Sequence, residues 1–300
     1  MTQKLLVTGA SGQLGQAVVR HLIDTLHIEP GRIVAATRTP EALDAFWNRG
    51  VSVRYADFED VGSLGCAFNG IDRMLLISTD ALDRRGRRFA QQLAAVTAAE
   101  AAGVNHVVYT SMPNADRATV IVAPDHAATE AALASTVIPG WTVLRNHWYF
   151  DNLYLTLPAI LRNGGQWFHA AGAGKLANIS RDDLALAAAA ALADTSGGKR
   201  MFTLSGSEAL TTDEQANLIG DTLGTRISPV FLPEEALVGR MVKSGLPQGL
   251  ARIFASFDAN TAAGFVGTVT KDFHHLTGKH PKSFSAWLAD HRGGLTKLLS

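Results

Sequence analysis

The stretch "VTGASGQLG", from Val7 to Gly15, spaces three glycines so that backbone can come close to a pyrophosphate. Its flanks decide whether that chemistry is intended. Lys4 to Thr8 reads as a short buried strand, and Leu14, Val18, Leu22 and Leu26 recur every four residues as one apolar helix face. In a strand–loop–helix, Gly9 permits the tight turn, Gly12 the approach of phosphate and Gly15 the packing of helix on sheet. The anion then meets the helix N-terminus. Thr8, Gly9, Ser11, Gly12, Gln13, Leu14 and Gly15 are therefore candidate cofactor contacts.

A second chemical choice lies at the end of the next apolar run, "RIVAATR". A site for NAD usually presents a carboxylate to the ribose there, whereas this chain has Arg38 in "AATRTP" and no acid nearby. A guanidinium is a planar, permanent cation suited to the 2′-phosphate of NADP, which points to NADPH. A solvated surface arginine is the alternative. Asp57 and Phe58, in "RYADFED", fall where adenine would rest, although Asp57 could instead start the following helix.

These residues need a scaffold, and the chain's periodicity supplies one. Strand patterns at "RIVAATR", "VSVRYAD", "RMLLIS", "HVVYTS" and "WTVLRN" alternate with helices at "PEALDAFWNRG", Val61 to Phe68, Arg87 to Ala102 and about Asp125 to Ala134. Such alternation predicts an α/β fold with a doubly wound parallel Rossmann sheet. Beyond Tyr149 the rhythm becomes mixed: a helix in "DNLYLTLPAILRNGG", strands at "QWFHA", "KRMFTLSG" and "RISPVFL", and a helix from Arg181 to Ala193 capped by Ser180. Thr212 with Gln215 reads as a capping box. The expected division is a nucleotide-binding domain of 1–150 plus about 176–204, and a smaller mixed α/β C-terminal lobe of about 151–175 and 205–300.

Composition narrows the partners. Lys plus Arg and Asp plus Glu each number 27, and no basic block could hold a nucleic-acid backbone. With 47% hydrophobic residues, 300 residues can bury a substantial core, yet no apolar run is long enough to span a bilayer. The first strand begins at once, leaving no room for a signal peptide, and a cytoplasmic location is expected. The single cysteine, Cys66, cannot form an intramolecular disulfide and is expected as a buried, inert thiol. His274 and His275 are adjacent and lack a third ligand, so no metal is assigned. Homodimerisation is left open.

"VTGASGQLG", "ADFED", "LLIST", "GVNHVVYTS", "TVLRNHWYFDN" and "GKLANISRDDLALAAAAAL" together resemble the NmrA-like branch of atypical short-chain dehydrogenases/reductases, and the likeness runs over most of the chain. Within that branch the sequence is similar to bacterial NADPH-dependent quinone oxidoreductases and triphenylmethane reductases. The resemblance implies a Rossmann domain with a small C-terminal lobe, NADPH as reductant and a substrate cleft between them.

The superfamily's usual tyrosine with a lysine four residues later is missing, since none of Tyr55, Tyr109, Tyr149 or Tyr154 has one. A positioned acid speeds ketone reduction ~10²- to 10⁴-fold, because an alkoxide must be protonated. A quinone gives a stabilised phenolate-like anion that water protonates, so the substrate expected is a quinone or similar electrophilic conjugated compound. Ligands sit at the carboxyl ends of parallel strands, which singles out Ser78 and Thr79, Thr110 and Ser111, and Arg145 to Tyr149. Asn146 could hold a quinone oxygen, and Trp148 and Tyr149 could stack on a flat ring or merely pack the lobe. "RN" followed by a tyrosine also occurs in the related reductases. His126, four residues before Glu130, stands near a lysine position of isoflavone-reductase-like relatives and could lend a proton or bind the cofactor ribose; an exposed helix pair is the alternative. The catalytic candidates are therefore Asn146, Tyr149 and His126. The competing function is a redox sensor that binds NADP without turnover and acts through a protein partner.

Overall fold

The computed structural model describes residues 3–299. Its strands are β1 (Leu5–Val7), β2 (Ile33–Thr37), β3 (Ser52–Tyr55), β4 (Arg73–Leu76), β5 (His106–Ser111), β6 (Gly140–Asn146), β7 (Gln166–His169), β8 (Lys199–Leu204) and β9 (Ser228–Phe231). The helices of the first half are α1 (Gln13–Arg20), α2 (Asp44–Trp47), α3 (Val61–Phe68), α4 (Arg87–Ala101) and α5 (Ala123–Ala134). They are followed by α6 (Leu153–Arg162), α7 (Arg181–Ala193), α8 (Thr212–Leu223), α9 (Glu234–Lys243), α10 (Gln248–Ala262), α11 (Asp272–Thr277) and α12 (Phe284–Thr296).

Seven strands form one parallel sheet in the order β3-β2-β1-β4-β5-β6-β8. Its central strands are apolar on both faces because helices cover both. On one side Val7, Ala35, Leu75 and Val108 pack with α1 and the alanine-rich α7. On the other, Leu6, Val34, Met74 and Val107 pack with α3 and α4. The small alanine side chains of α7 let that helix lie close to the sheet, and the first-half connections place the crossover helices α1 and α4 on opposite faces. The strand order reverses between β1 and β4, the place where a doubly wound sheet opens a crevice beyond its carboxyl ends.

A smaller unit sits beyond those ends. β7 pairs in parallel with β9, and α6, α8 and α12 enclose a core centred on Trp287, Phe284 and Leu157. Two expectations are corrected here. The capping box of α8 is Thr211 with Glu214, whose carboxylate accepts the Thr211 N–H at 2.7 Å, rather than Thr212 with Gln215. Cys66 is exposed, because α3 turns Leu64, Ala67 and Phe68 inward and leaves Gly65 and Cys66 on the outer face.

Candidate active site

A cleft of about 1080 Å³ opens where β1 and β4 diverge. Every predicted contact of the glycine loop lines it, as do Arg38, Asp57, Phe58, Ser78 and Thr79. Gly9 has φ +58°, the left-handed conformation that glycine adopts without strain. A Cβ on Gly15 would lie 2.4 Å from the Gly9 carbonyl oxygen, so that glycine lets α1 pack against the loop's own backbone. Gly12 caps α1 with no side-chain hydrogen bond, and the first-turn amides are left for an anion.

Around Arg38 the predicted Ser11 is joined by two hydroxyls that the sequence did not single out, Thr37 and Thr39. Ser11 Oγ lies 2.7 Å from Thr37 Oγ1 and 3.4 Å from Thr39 Oγ1, and the Thr39 N–H donates to Thr37 Oγ1 at 3.1 Å. Arg38 is exposed at the cleft edge, and no ion pair to it occurs among the described residues. A free guanidinium beside hydroxyls fits a phosphate, and helix amides beyond them fit a pyrophosphate, so the residues present suit NADPH. Asp57 does not cap α3, since Asp60 accepts the Ser63 N–H there; its Oδ1 takes the Glu59 N–H at 3.0 Å.

The opposite wall is built by the segment after β4. The Thr8 hydroxyl donates to the Leu75 carbonyl and accepts the Ile77 N–H at 3.1 Å, while Thr110 Oγ1 accepts the Ser78 N–H at 2.9 Å. These side chains hold the strand end after its ladder has stopped at Leu76. Arg87 then ties the wall down with two bonds to Glu59 and one to Asp83, and holds the Glu59 carboxyl at about 2. Pro247, Gly249 and Leu250, at the start of α10, contribute the lobe's side of the cleft.

At the ends of β5 and β6 the arrangement is different. Thr110 and Ser111 do not line the cleft; Thr110 is used on Ser78, and the Ser111 hydroxyl donates to Glu130, which Arg145 also grips at 3.0 and 2.6 Å. His126 is buried rather than exposed with Glu130, and it too lies off the cleft wall. Arg88 Nη2 lies 2.7 Å from His126 Nε2, and an arginine can only donate, so Nε2 is the acceptor. The proton of the neutral ring is therefore on Nδ1, 2.8 Å from the Tyr109 hydroxyl. Tyr109 donates to Gln92, Gln92 to Thr129, and Thr129 to the Asp125 carbonyl. Burial and the Arg88 cation drive His126 well below the usual histidine range, so it stays neutral.

Asn146 ends β6, buried, with its Oδ1 unpartnered. Burial raises the Tyr149 hydroxyl above the ordinary tyrosine value, with Arg181, 5.5 Å over the ring, and Asn146 opposing. Trp148 is 38% exposed, stacks on Tyr149 at 6.3 Å and packs tilted against Phe257 at 4.2 Å. Neither aromatic reaches the large cleft; both line a second, smaller cavity. Among the described residues no cluster of three or more His, Cys, Asp or Glu side chains is placed to hold a metal.

A parallel sheet with its glycine loop at the strand-order reversal defines a dinucleotide-binding protein of the Rossmann class. The NmrA-like family model matches residues 1–288, and the chain belongs to that family. It is 34% identical to quinone oxidoreductase 2 of Escherichia coli over 287 residues, 96% of this chain and 98% of that one. An NADPH-dependent quinone oxidoreductase of E. coli solved with NADPH superposes with a TM-score of 0.88 at 32% identity, covering 99% of this chain and 100% of the other. A Citrobacter triphenylmethane reductase complexed with NADP(H) gives 0.86 at 28% identity, with 99% and 100% covered.

Proposed function

We propose that this protein is an NADPH-dependent oxidoreductase that delivers hydride to a quinone or a similarly electrophilic conjugated compound. The observation that supports it most is the pairing of an open cation-and-hydroxyl cradle around Arg38 with strand ends at which the buried His126 is held neutral. NADPH, when bound, supplies the hydride; with one proton from water a quinone becomes a hydroquinone and NADP⁺ is left.

Each part of the chain has a task in this reading. The α1 amides and the Arg38 cluster hold the phosphates, Asp57 and Phe58 bound the adenine, and Ser78 and Thr79 flank the nicotinamide. Tyr149, in the wall of the smaller cavity, and Asn146, at the end of β6, bound the substrate beyond the nicotinamide, while His126 acts through Arg88, whose guanidinium also donates to the Thr79 carbonyl. Residues 1–150 with 176–204 form the nucleotide-binding part, and 151–175 with 205–300 close the substrate side. Among the described residues no helix is long and apolar enough to cross a membrane. We assign the protein to the cytoplasm, where NADPH is the working reductant.

The test is NADPH consumption with benzoquinones, a cationic dye and an aliphatic ketone. Quinone or dye reduction with a poor response to the ketone is expected. Tight NADPH binding with no electrophile reduced would replace this reading with a non-catalytic redox sensor.

A further inference from the structure

The second cavity has a volume of about 150 Å³ and lies between the end of β6, α8 and the last turns of α10. An apolar cavity of about this size accepts a benzene ring, whereas whole drug-sized ligands need about 300 Å³ or more. It is therefore sized for one ring of a larger molecule. Trp148, Tyr149, Trp167, Phe257 and Phe284 supply flat walls. Yet the cavity is not purely apolar, and this separates it from a packing defect.

Asp258 lines it, with Oδ2 accepting the Ala170 N–H at 2.8 Å and, among the described residues, no donor to Oδ1. Asn178, also in the wall, has a buried Oδ1 without a partner. A buried acceptor left this way is rare, and with the half-buried Asp258 carboxylate it gives this wall two acceptors for a ligand's donor, beside the unpartnered buried donor Asn152 Nδ2. Burial, reinforced by Glu234, raises the Asp258 carboxyl to about 6 despite the Ala170 bond, and a donor from a ligand would relieve that cost.

α10 connects this cavity to the cofactor cleft. Leu250 lines the cleft and Asp258 the second cavity, eight residues on, or about 12 Å at the helical rise of 1.5 Å per residue. Leu82 and Leu250 at the cleft and Phe257 at the second cavity pack on one apolar cluster, and Trp148 packs on Phe257. The separation matches two linked aromatic rings.

We infer that the second cavity anchors a non-reacting aryl ring bearing a hydrogen-bond donor, which Asp258 accepts, so that the preferred electrophile is a two-ring compound with its reducible ring at the cofactor cleft. The substrate class rests on the oxidoreductase reading, but the pocket itself can be tested without turnover.

The experiment compares indophenol, whose second ring carries a hydroxyl, with N-phenyl-1,4-benzoquinone imine, which lacks it, as electrophiles for the whole protein with NADPH. Wild type is expected to favour indophenol in kcat/KM by about tenfold, mainly through KM, the size of one good hydrogen bond. Asp258→Leu should bring the ratio close to one, and Asp258→Asn, which keeps an acceptor oxygen, should retain most of it. Equal kcat/KM for the two compounds in wild type, or an unchanged ratio in Asp258→Leu, overturns the proposal. In parallel, phenol and toluene are titrated against the protein alone by tryptophan fluorescence. Phenol binding that weakens in Asp258→Leu supports the pocket even if no electrophile is reduced, the result that defeats only the reductase reading. Should Asp258→Leu fail to fold, wild-type preference for phenol over toluene decides, and no preference overturns the assignment.

Discussion

The nucleotide end of the cleft and the ends of β5 and β6 contain similar side chains in opposite states. Ser11, Thr37, Thr39 and Arg38 form an open group whose cation has no carboxylate partner among the described residues, beside helix amides with no side-chain cap. Ser111, Glu130 and Arg145 close on one another, and Arg88, His126 and Tyr109 close on a third set of partners. The first region leaves free energy of interaction to be gained from a ligand. In the second these side chains have turned hydrogen bonds on one another, although Asn146 Oδ1 at the end of β6 stays unpartnered, which makes them a rigid backing rather than a source of protons.

The largest test of this contrast is Gly12→Val. A Cβ at Gly12 would sit 3.2 Å from the Gly9 carbonyl, and the valine methyls would occupy phosphate space. NADPH affinity measured by calorimetry should fall more than about 100-fold, with the circular dichroism spectrum retained. Binding undiminished in a folded variant would make the loop a turn and nothing more.

Next is Arg38→Ala, which removes a charge-assisted contact of ~1.5 to 3 kcal/mol, or about ten- to hundredfold in NADPH affinity. NADH affinity should hardly change. Equal weakening of both cofactors would show that Arg38 does not read the 2′-phosphate.

The smallest expected effect on turnover lies in the closed region. His126→Ala should reduce kcat less than about tenfold, below the usual contribution of a general acid, while lowering stability by about 1 to 3 kcal/mol because the buried Arg88 Nη2 loses its His126 acceptor. The pH dependence has a definite sign. His126 is held below its unfolded value, so the unfolded chain takes up more protons as pH falls through about 6.5, and acid costs the native protein stability. Denaturant titrations at pH 7.5 and 5.5 should show less of this loss in the variant. A large fall in kcat with unchanged stability would instead make His126 a proton donor.

Much of the nucleotide end was legible in the sequence because its residues are local: a strand, a glycine turn and a helix start within Leu5 to Arg20. The missing carboxylate after β2 was equally readable. Thr37 and Thr39 were not singled out, since their value comes from meeting Ser11 across 26 and 28 residues. The burial of His126 was hidden by the small alanines around it, which give α5 little apolar contrast. Cys66 was recoverable: the inward positions Leu64, Ala67 and Phe68 already assign it to the other face. Nothing local joins Asp258 to Asn178, because only packing of the lobe on the sheet brings them to one cavity.

The hydrogen-bonded series from Arg88 through His126, Tyr109, Gln92 and Thr129 has a direction, as every hydrogen in it has one assigned place. It begins at a guanidinium that does not give up its proton and finishes at the Asp125 carbonyl, which does not take one. As a conductor it is therefore blind at both ends. Protons cannot be drawn along this series from the back of the sheet, so it supplies none of what the reduced product requires.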